Sequence, residues 1–456
     1  MEKQEILTKL LKDDLKPALG VTEPGAIAYA VSLAVQELAK QSPDSTPEQV
    51  KVVLNSGIYK NAFTCAIPNS EHLGNEYAAA LGLLGADPSR LLECLSTVHQ
   101  MDREAEKLIS QGKVTVELGE ISADISIDAL VTGKDGKTVR VIITGSHTHV
   151  SRILYCEKTI WEDKKEEKHG EEKQAAIHRY TVRELLDYVQ TVPAEEIDFL
   201  MQAHEMNHQL FVSALDSPKP TCTPCLLAEN GGKIISQDEQ KTAVLLCGGA
   251  IEARVLGLEH PAMSVTGSGA HGIIATLPLY AVYQVRHCSR EELLRATALS
   301  CLICMYIKEY SGKLSAFCGC AIAAGTGAAC GLAFLDGAEK REERIHAVIN
   351  NMASSITGMI CDGGNHGCVM KGLAAVDAMW RANNLARCFI MIESIHGING
   401  STPEETMKNM GRIASPGMER TEEEIVRIHS SSGTTGTPVI IPENTVTAKI
   451  PGYHLL

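Results

Sequence analysis

The sequence predicts an α+β protein, in which a mainly helical, Gly/Ala-rich core domain carries an inserted α/β sheet domain. From about residue 196 onward, apolar residues recur at helical spacing among many glycines and alanines. Residues 113–129 instead alternate apolar and polar side chains, which is typical of a half-buried strand. The length of 456 residues is also long for one hydrophobic core. We therefore predict a discontinuous helical domain of residues 1–49 and 200–456, interrupted by a sheet domain of residues 50–199.

The inserted sheet is predicted from three segments. Val50–Leu54 is one strand candidate, and residues 113–129 supply the alternating pattern. Lys134–Lys137 then makes a hairpin turn, and Thr138–Thr144 returns as the partner strand. The helices predicted in this half of the chain cover residues 5–16, 25–41, 73–85, 88–98 and 182–190.

The second half is predicted to be almost entirely helical. Its helices are expected at residues 196–215, 240–255, 271–284, 290–307, 313–332, 337–356, 366–382 and 402–411. The run 321–333 (AIAAGTGAACGLA) is apolar enough to suggest a membrane helix. Its glycines and cysteine, with Lys313 and Asp336 as boundaries, favour a buried helix of a soluble protein instead. After Ser430 the chain is rich in turn-forming residues and is predicted to be extended.

Charge and hydropathy exclude two classes of partner. The net charge is −14 and no basic patch is apparent, so a nucleic-acid partner is not expected. No stretch of 18 uncharged apolar residues occurs, so no membrane partner is expected either. The first residues are charged and amphipathic, without the apolar core of a signal peptide. We therefore expect a cytoplasmic protein.

The cysteines carry the strongest functional signal. Fifteen are present, and in a reducing cytosol they are not a disulfide framework. Cys318 and Cys320 lie two residues apart, and Cys361 and Cys368 flank a glycine-rich loop that leads into a predicted helix. Glycines let backbone amides approach inorganic sulfide closely, and a helix N-terminus favours thiolates. Spacing alone leaves a metal or cluster site and buried structural thiols equally open.

Other metal-ligand candidates have a simpler structural interpretation. Cys222 and Cys225 have CxxC spacing but no second pair at zinc-ribbon distance, which favours ordinary loop thiols. Cys301 and Cys304 lie one turn apart on an apolar helix and are interpreted as core residues. His147-Thr148-His149 is predicted to put two imidazoles on one strand face. Without a third ligand nearby, we interpret both histidines as surface or hydrogen-bonded residues.

Several polar motifs resist explanation by packing alone. The loop 266–272 (TGSGAHG) precedes a helix and offers hydroxyls and amides suited to a carboxylate, although a structural turn is an equal alternative. Thr22-Glu23-Pro24 supplies a possible acid or base, and helix capping explains it equally well. Tyr59-Lys60-Asn61 follows a strand and could bind an anion, whereas an exposed strand end is the alternative. Asn207 is interpreted as a polar contact of a helix.

Four ordered motifs resemble those of the L-cysteine desulfidase family, which is related to the α chain of iron–sulfur L-serine dehydratases. The motifs are LGVTEPGAIA (19–28), TGSGAHGIIATLP (266–278), GKLSAFCGCAIAAGTG (312–327) and ITGMICDGGNHGC (356–368). The resemblance covers nearly the whole chain. It implies a homodimer that binds a [4Fe–4S] cluster and splits L-cysteine into sulfide, pyruvate and ammonia.

The resemblance also implies roles for particular residues. Cys361 and Cys368 match two cluster ligands, and the third is Cys318 or Cys320, with a slight preference for Cys320. Three thiolates leave one iron open as a Lewis acid toward the substrate. The catalytic candidates are Glu23, Lys60 and Asn61. The substrate-binding candidates are Thr22, Ser268, Gly269, His271, Lys313 and Ser315.

One position departs from the family pattern. The usual motif is Gly-Cys-Thr-Glu-Pro, and Val21 stands where the cysteine is expected. Valine neither binds iron nor moves a proton. Glu23 or another group therefore supplies the base, or the reaction differs, or activity is lost. The alternatives are a serine or other β-hydroxy-acid dehydratase, a non-catalytic iron–sulfur sensor and a structural zinc protein.

Overall fold

The computed structural model describes residues 2–163, 175–312, 314–337 and 341–431. Its helices are α1 (Glu2–Asp14), α2 (Thr22–Gln41), α3 (Ser56–Ala62), α4 (Asn75–Leu84), α5 (Asp102–Ser110), α6 (Val182–Thr191), α7 (Met201–Asp216), α8 (Cys222–Glu229), α9 (Glu239–Val255), α10 (Gly269–Arg286), α11 (Arg290–Ser311), α12 (Gly325–Leu335), α13 (Arg341–Ile356), α14 (Cys368–Arg387), α15 (Pro403–Ala414) and α16 (Glu419–Ser431). Its strands are β1 (Lys16–Ala18), β2 (Pro47–Leu54), β3 (Val114–Leu118), β4 (Ser126–Gly133), β5 (Thr138–Thr144), β6 (Val150–Tyr155), β7 (Lys158–Glu162) and β8 (Ala262–Ser264). The mainly helical α+β fold class is therefore confirmed.

A six-stranded sheet forms the β-rich part, in the order β3-β2-β4-β5-β6-β7. β2 and β3 run parallel, and the other neighbours run antiparallel. β4 and β5 alternate buried and half-buried residues, because one face of the sheet is covered by α2. The hairpin turn predicted at 134–137 joins these two strands, with Val131 opposite Val139. The division of the chain at residues 50 and 199 stays a prediction.

The helical part is built around α9, α10, α11, α12 and α14, which pack on one another. Small residues allow close approach: a Cβ on Gly327 of α12 would stand 2.2 Å from the Ser300 carbonyl oxygen of α11. The run 321–333 is buried in this core, as the soluble interpretation predicts. Among the helices of the described residues, none is both long and apolar enough to span a bilayer.

The predicted helix 313–332 is wrong at its start. Phe317 bridges to Ile360, the Cys318 amide donates to the Met359 carbonyl at 3.1 Å, and the Cys361 amide donates to the Ala316 carbonyl at 2.6 Å. These bonds to a distant segment replace the local bonds of a helix. A π-helical turn, Cys320–Ala324, follows before α12 begins. π-Turns of this kind often occur at functional sites.

Other boundaries differ because local contacts override the pattern. The alternating run 113–129 forms two strands, β3 and β4, with irregular chain between them. The segment predicted as a helix at 88–98 is a 3₁₀ segment interrupted at Leu91, whose φ is 52°. The predicted helix 196–215 begins with short 3₁₀ turns before α7. Short helices α3, α5, α8 and α16 were not predicted, and the predicted extended tail after residue 430 lies almost entirely outside the described residues.

Candidate cysteine-lined active site

The four cysteines singled out by the sequence lie around one cavity. Cys318 and Cys320 precede and begin the π-turn, while Cys361 and Cys368 flank the glycine-rich loop that leads into α14. The hydrogen bonds between the two segments hold these cysteine pairs side by side. Residues more than 40 positions apart in sequence therefore meet through backbone pairing.

The glycine-rich loop fits closely against α3. Gly363 has φ 114°, and a Cβ there would stand 2.7 Å from the Lys60 carbonyl oxygen. Gly364 donates its amide to the Asn61 carbonyl at 3.1 Å, and a Cβ on Gly364 would stand 2.7 Å from Val21. Neither position has space for a side chain, so glycine is required for this approach.

Of the two neighbouring thiols Cys318 and Cys320, Cys320 ionises more readily. Cys318 shares a hydrogen bond with Cys320, which lowers the pKa of Cys320 well below its usual range, with further help from His271 and Arg254. The same bond and burial raise the pKa of Cys318. Burial also raises the pKa of Cys368, to about 12. The thiolate is the metal ligand, so an ionised thiol in this pair suits a ligand, and the choice between Cys318 and Cys320 stays a prediction.

No three of the four cysteines bring their sulfur atoms all within 4.8 Å of one another, which is wider than a single tetrahedral ion requires. A tetrahedral zinc ion holds its sulfur ligands about 3.8 Å apart. Within the described residues, the group of three potential ligands whose donor atoms all lie within 4.8 Å of one another is Cys222, Glu252 and His366, and not the four cysteines. A cluster spaces its thiolates more widely, since each binds a different iron. Four thiols on one cavity, with Gly363 and Gly364 beside them, suit an iron–sulfur group.

Above the cysteines lies a second cavity of about 260 Å³, large enough for a small metabolite. Cys320 and Cys361 line its base. Its polar walls come from several distant segments and include Glu23, Asn61, His147, Thr266, Ser268, His271, Lys308 and Ser315. Polar groups thus converge on the space next to the thiols.

Glu23 is a buried, ionised carboxylate. Asn61 Nδ2 donates to its Oε1 at 2.9 Å, and the Thr22 hydroxyl donates to its Oε2 at 2.9 Å. Burial alone would raise the pKa of Glu23, but His147 and Asn61 lower it to about 2. A carboxylate with so low a pKa is a weak base. Glu23 is better suited to orient a neighbour than to take a proton itself.

His147 faces Glu23, with Nε2 at 3.6 Å from Oε1. The side chain is 8% exposed, and its Nε2 has no hydrogen-bond partner at normal distance. The interpretation of His147 as a surface or hydrogen-bonded residue is therefore wrong. It lies in the turn between β5 and β6 and not on a strand face. Its neighbour His149 is at the surface and bonds Asp163 at 2.9 Å, as interpreted.

Lys60 does not line either cavity. Its ammonium group is fully buried, pairs with Glu422 of α16 at 2.6 Å, and donates to the carbonyls of Cys361 at 3.0 Å and Ser315 at 3.3 Å. Both cysteine-bearing segments are thereby tied to α3 and α16. The structure brings Asn61 into the cavity but turns Lys60 away from it.

The predicted substrate-binding residues are mostly brought together. Ser268, Ser315 and His271 line the upper cavity, and Gly269 begins α10 beside them. His271 Nδ1 bonds the Thr266 hydroxyl at 2.6 Å. Thr22 contributes its hydroxyl to Glu23. Lys313 lies outside the described residues.

The Cys222–Glu252–His366 group is built as a helix cap. Glu252 accepts bonds from the amides of Thr221, Cys222 and Thr223 at the start of α8, and from His366 Nε2 at 2.7 Å. Burial alone would raise the pKa of Glu252, but these bonds lower it to about 2. Its oxygens are occupied, so the group anchors His366 of the glycine-rich loop.

Most of the simpler structural interpretations are confirmed. Cys301 and Cys304 are fully buried in α11. Asn207 bonds the Thr276 hydroxyl and the Met263 amide, so it is a helix polar contact. The interpretation of Cys222 and Cys225 as loop thiols is wrong, because both lie in the first turn of α8, where Cys225 is exposed. Sequence patterns did not identify Arg254, which is one of two charged residues, with Glu252, in the otherwise apolar run CGGAIEARVLG.

These features define a helical α+β protein with a cysteine-lined site, and comparison with known proteins gives its class. Residues 93–427 match the family model described as the serine dehydratase alpha chain. The chain belongs to this family.

Full-length relatives carry a more particular family name. A UPF0597 protein of Clostridium botulinum, strain Langeland, is 38% identical over 437 residues, covering 93% of this chain and 98% of the relative. A UPF0597 protein of Caldanaerobacter subterraneus is 36% identical over 431 residues, covering 93% and 97%. One from Geobacter sulfurreducens is 35% identical over 414 residues, covering 90% and 94%. The similarity thus extends well beyond the region that the family model matches.

Proposed function

We propose that the protein is an iron–sulfur-dependent amino-acid lyase that eliminates sulfide from L-cysteine, giving pyruvate and ammonia. The observation that carries the proposal is the convergence of four cysteines, from two paired segments, on one cavity. The adjoining cavity is lined by Cys320, Cys361 and the pair Glu23–His147. Membership of the serine dehydratase alpha chain family supports a lyase reaction at an amino acid.

In this proposal Cys320, Cys361 and Cys368 hold a [4Fe–4S] cluster, and Cys318 supports Cys320 by hydrogen bonding. When bound, such a cluster supplies a Lewis-acidic iron that favours departure of the leaving group. Gly363 and Gly364 let the loop lie close against α3, which holds Cys361 and Cys368 at the edge of this cavity.

Proton transfer is assigned to His147. In this assignment the Glu23 carboxylate, 3.6 Å from Nε2, favours a proton on that nitrogen by its charge, and Nδ1 accepts the α-proton. The Cα–Cβ double bond forms as the Cβ–S bond breaks, and sulfide leaves with the electron pair. The resulting aminoacrylate tautomerises, and water hydrolyses it to pyruvate and ammonia. His147 thereby supplies the base that Val21 cannot.

L-Serine is the second candidate substrate, because the matching family model describes serine dehydratase. The same proton transfer would then release water from Cβ. Activity on both amino acids, measured at equal concentration, separates the two assignments.

A third candidate is a non-catalytic iron–sulfur protein, favoured by Val21. This side chain is 2% exposed and lines the cysteine cavity, where the resemblance expects a thiol. Retention of the cluster without turnover of either amino acid would support that reading.

Cysteine variants purified without oxygen test the cluster assignment. We expect Cys320→Ala, Cys361→Ala and Cys368→Ala each to lose most bound iron, because each removes a proposed ligand. Cys225→Ala is the matched control, since that thiol is exposed and outside the cavity. Full iron content in Cys361→Ala and Cys368→Ala would contradict the assignment.

A further inference from the structure

Arg254 is a buried cation that forms no direct ion pair with a carboxylate of the described residues. It lies near the end of α9 and is 4% exposed, and its Nε has no hydrogen-bond partner among the described residues. The neighbouring carboxylates Glu23 and Glu252 pair with His147 and His366 instead. Since arginine stays charged in proteins, burial without a partner is costly. An anion from outside the chain would offset this cost.

The side chain of Arg254 runs across the start of α10. A Cβ on Gly269 would stand 2.7 Å from Arg254 Nε and 3.1 Å from its Cδ. α10 has 18 residues, and no side chain caps its first amides. Ser268, the residue before the helix, lines both cavities, and Arg254 lines the lower one with it. The guanidinium, a hydroxyl and a helix N-terminus therefore face the same space.

We infer that Arg254, with Ser268 and the N-terminus of α10, binds the carboxylate group of the substrate. A guanidinium offers two parallel N–H groups that match a carboxylate, and a helix N-terminus favours an anion. The inference rests on the proposed function for one point, that the substrate is an α-amino acid. It adds a residue that recognises the carboxylate independently of any iron.

The competing explanation is that Arg254 balances thiolate charge, because it also lies close enough to Cys320 to lower the pKa of that thiol. The two explanations differ in what a neutral side chain at this position does. Loss of a carboxylate site weakens the binding of ligands that carry a carboxylate and leaves the iron content unchanged. Loss of a counter-charge reduces iron content and affects all ligands alike.

Binding of L-alanine tests the inference, because L-alanine has the carboxylate but no leaving group on Cβ. Calorimetric titration of anaerobically purified protein compares L-alanine with L-alaninamide, which lacks the carboxylate. We expect Arg254→Met to weaken L-alanine binding about 10- to 100-fold, with unchanged iron content and unchanged alaninamide binding. Gly269→Ala, which displaces the guanidinium, is expected to act in the same direction. Arg152→Met, a surface variant, is the control.

Two results would overturn the inference: unchanged L-alanine affinity in a folded Arg254→Met variant, or loss of iron from that variant while the unaltered protein stays loaded. The readout needs no turnover, so it separates this inference from the proposed function. If the protein binds L-alanine through Arg254 but converts neither cysteine nor serine, the carboxylate site stands and the lyase assignment fails.

Discussion

At the scale of single residues, the chemistry of the site depends on Glu23. Its carboxylate is enclosed by Thr22, Asn61 and His147, which lie on two helices and a turn of the sheet region. These contacts hold it ionised and direct it at His147. A carboxylate that orients an imidazole is a recurring device for proton transfer, because it fixes which ring nitrogen exchanges the proton.

His147→Gln is expected to lower kcat about 100-fold or more while iron content and KM change little, since a proton acceptor is removed but the cavity is preserved. Steady-state pyruvate release with parallel iron analysis measures this. His149→Gln, two residues away at the surface, is the matched control. Equal kcat in the two variants would rule out His147 as the base.

Glu23 also predicts a pH dependence of stability. Its pKa is lowered from 4.5 to about 2 on folding, so its ionised form stabilises the folded state above pH 4.5 by about 3 kcal/mol. That contribution is lost as the pH falls from 4.5 toward 2. Denaturant unfolding of Glu23→Gln should therefore show a deficit at pH 6 that shrinks below pH 4. A deficit of the same size at both pH values would contradict this; Glu162→Gln, in a surface pair, should show none.

Sequence patterns located the four cysteines and Glu23 because each stands in a distinctive local motif. They did not identify His147 or Arg254 as site residues. Both matter through contacts with residues more than ten positions away, which spacing cannot reveal. A histidine in a turn and an arginine on an apolar helix can be recognised as site residues only once the tertiary fold shows that they are buried beside the cavities.

At the scale of elements, α3 and α16 brace the cysteine-bearing segments. Lys60 and Glu422 form a fully buried ion pair, and Lys60 also binds backbone carbonyls of both segments. Removing one partner of such a pair leaves a buried charge, whereas removing both does not.

Lys60→Met and Glu422→Leu are each expected to reduce the free energy of unfolding by about 3–5 kcal/mol, and the double variant by less than their sum. Chemical denaturation of the anaerobic protein measures these values. The exposed pair Lys51–Glu117 is the control, with an expected cost below about 1 kcal/mol. Strict additivity of the Lys60 and Glu422 effects would refute the pairing.

Packing of α12 on α11 makes a separate prediction. Gly327→Ala places a methyl group against the backbone of Ser300, which cannot move aside, so a loss of about 3 kcal/mol or more is expected. Gly358→Ala meets no atom within 4 Å and should be nearly neutral. Thermal unfolding of the two variants compares them directly. Similar melting temperatures would show that the helices can separate to accept the methyl group.

Long helices with clear caps or periodicity were predictable, whereas the boundary at 313–325 was not. The apolar pattern there continues without interruption, but the backbone of residues 316–318 pairs with residues 359–361 instead of forming helical bonds. Short helices such as α3 and α8 were missed because seven or eight residues give too little periodicity.

At the scale of the whole molecule, the sheet and the helical part both contribute to the site. His147 comes from a turn of the sheet region, Glu23 from α2 and Arg254 from α9, and the cysteines come from two paired segments of the helical part. Composition and pattern predicted the α+β class, but which face of the sheet meets the helices depends on packing between distant segments. The homodimer implied by the family resemblance stays a prediction.

Iron content and turnover of the protein purified without oxygen test the central claim most directly. We expect about four irons and about four sulfides per chain, with pyruvate released from L-cysteine faster than from L-serine. Faster turnover of L-serine would change the assigned substrate from L-cysteine to L-serine, but the assignment as a lyase would remain. A folded protein without iron, even after reconstitution with iron and sulfide, would contradict the proposed cluster and the reaction built on it.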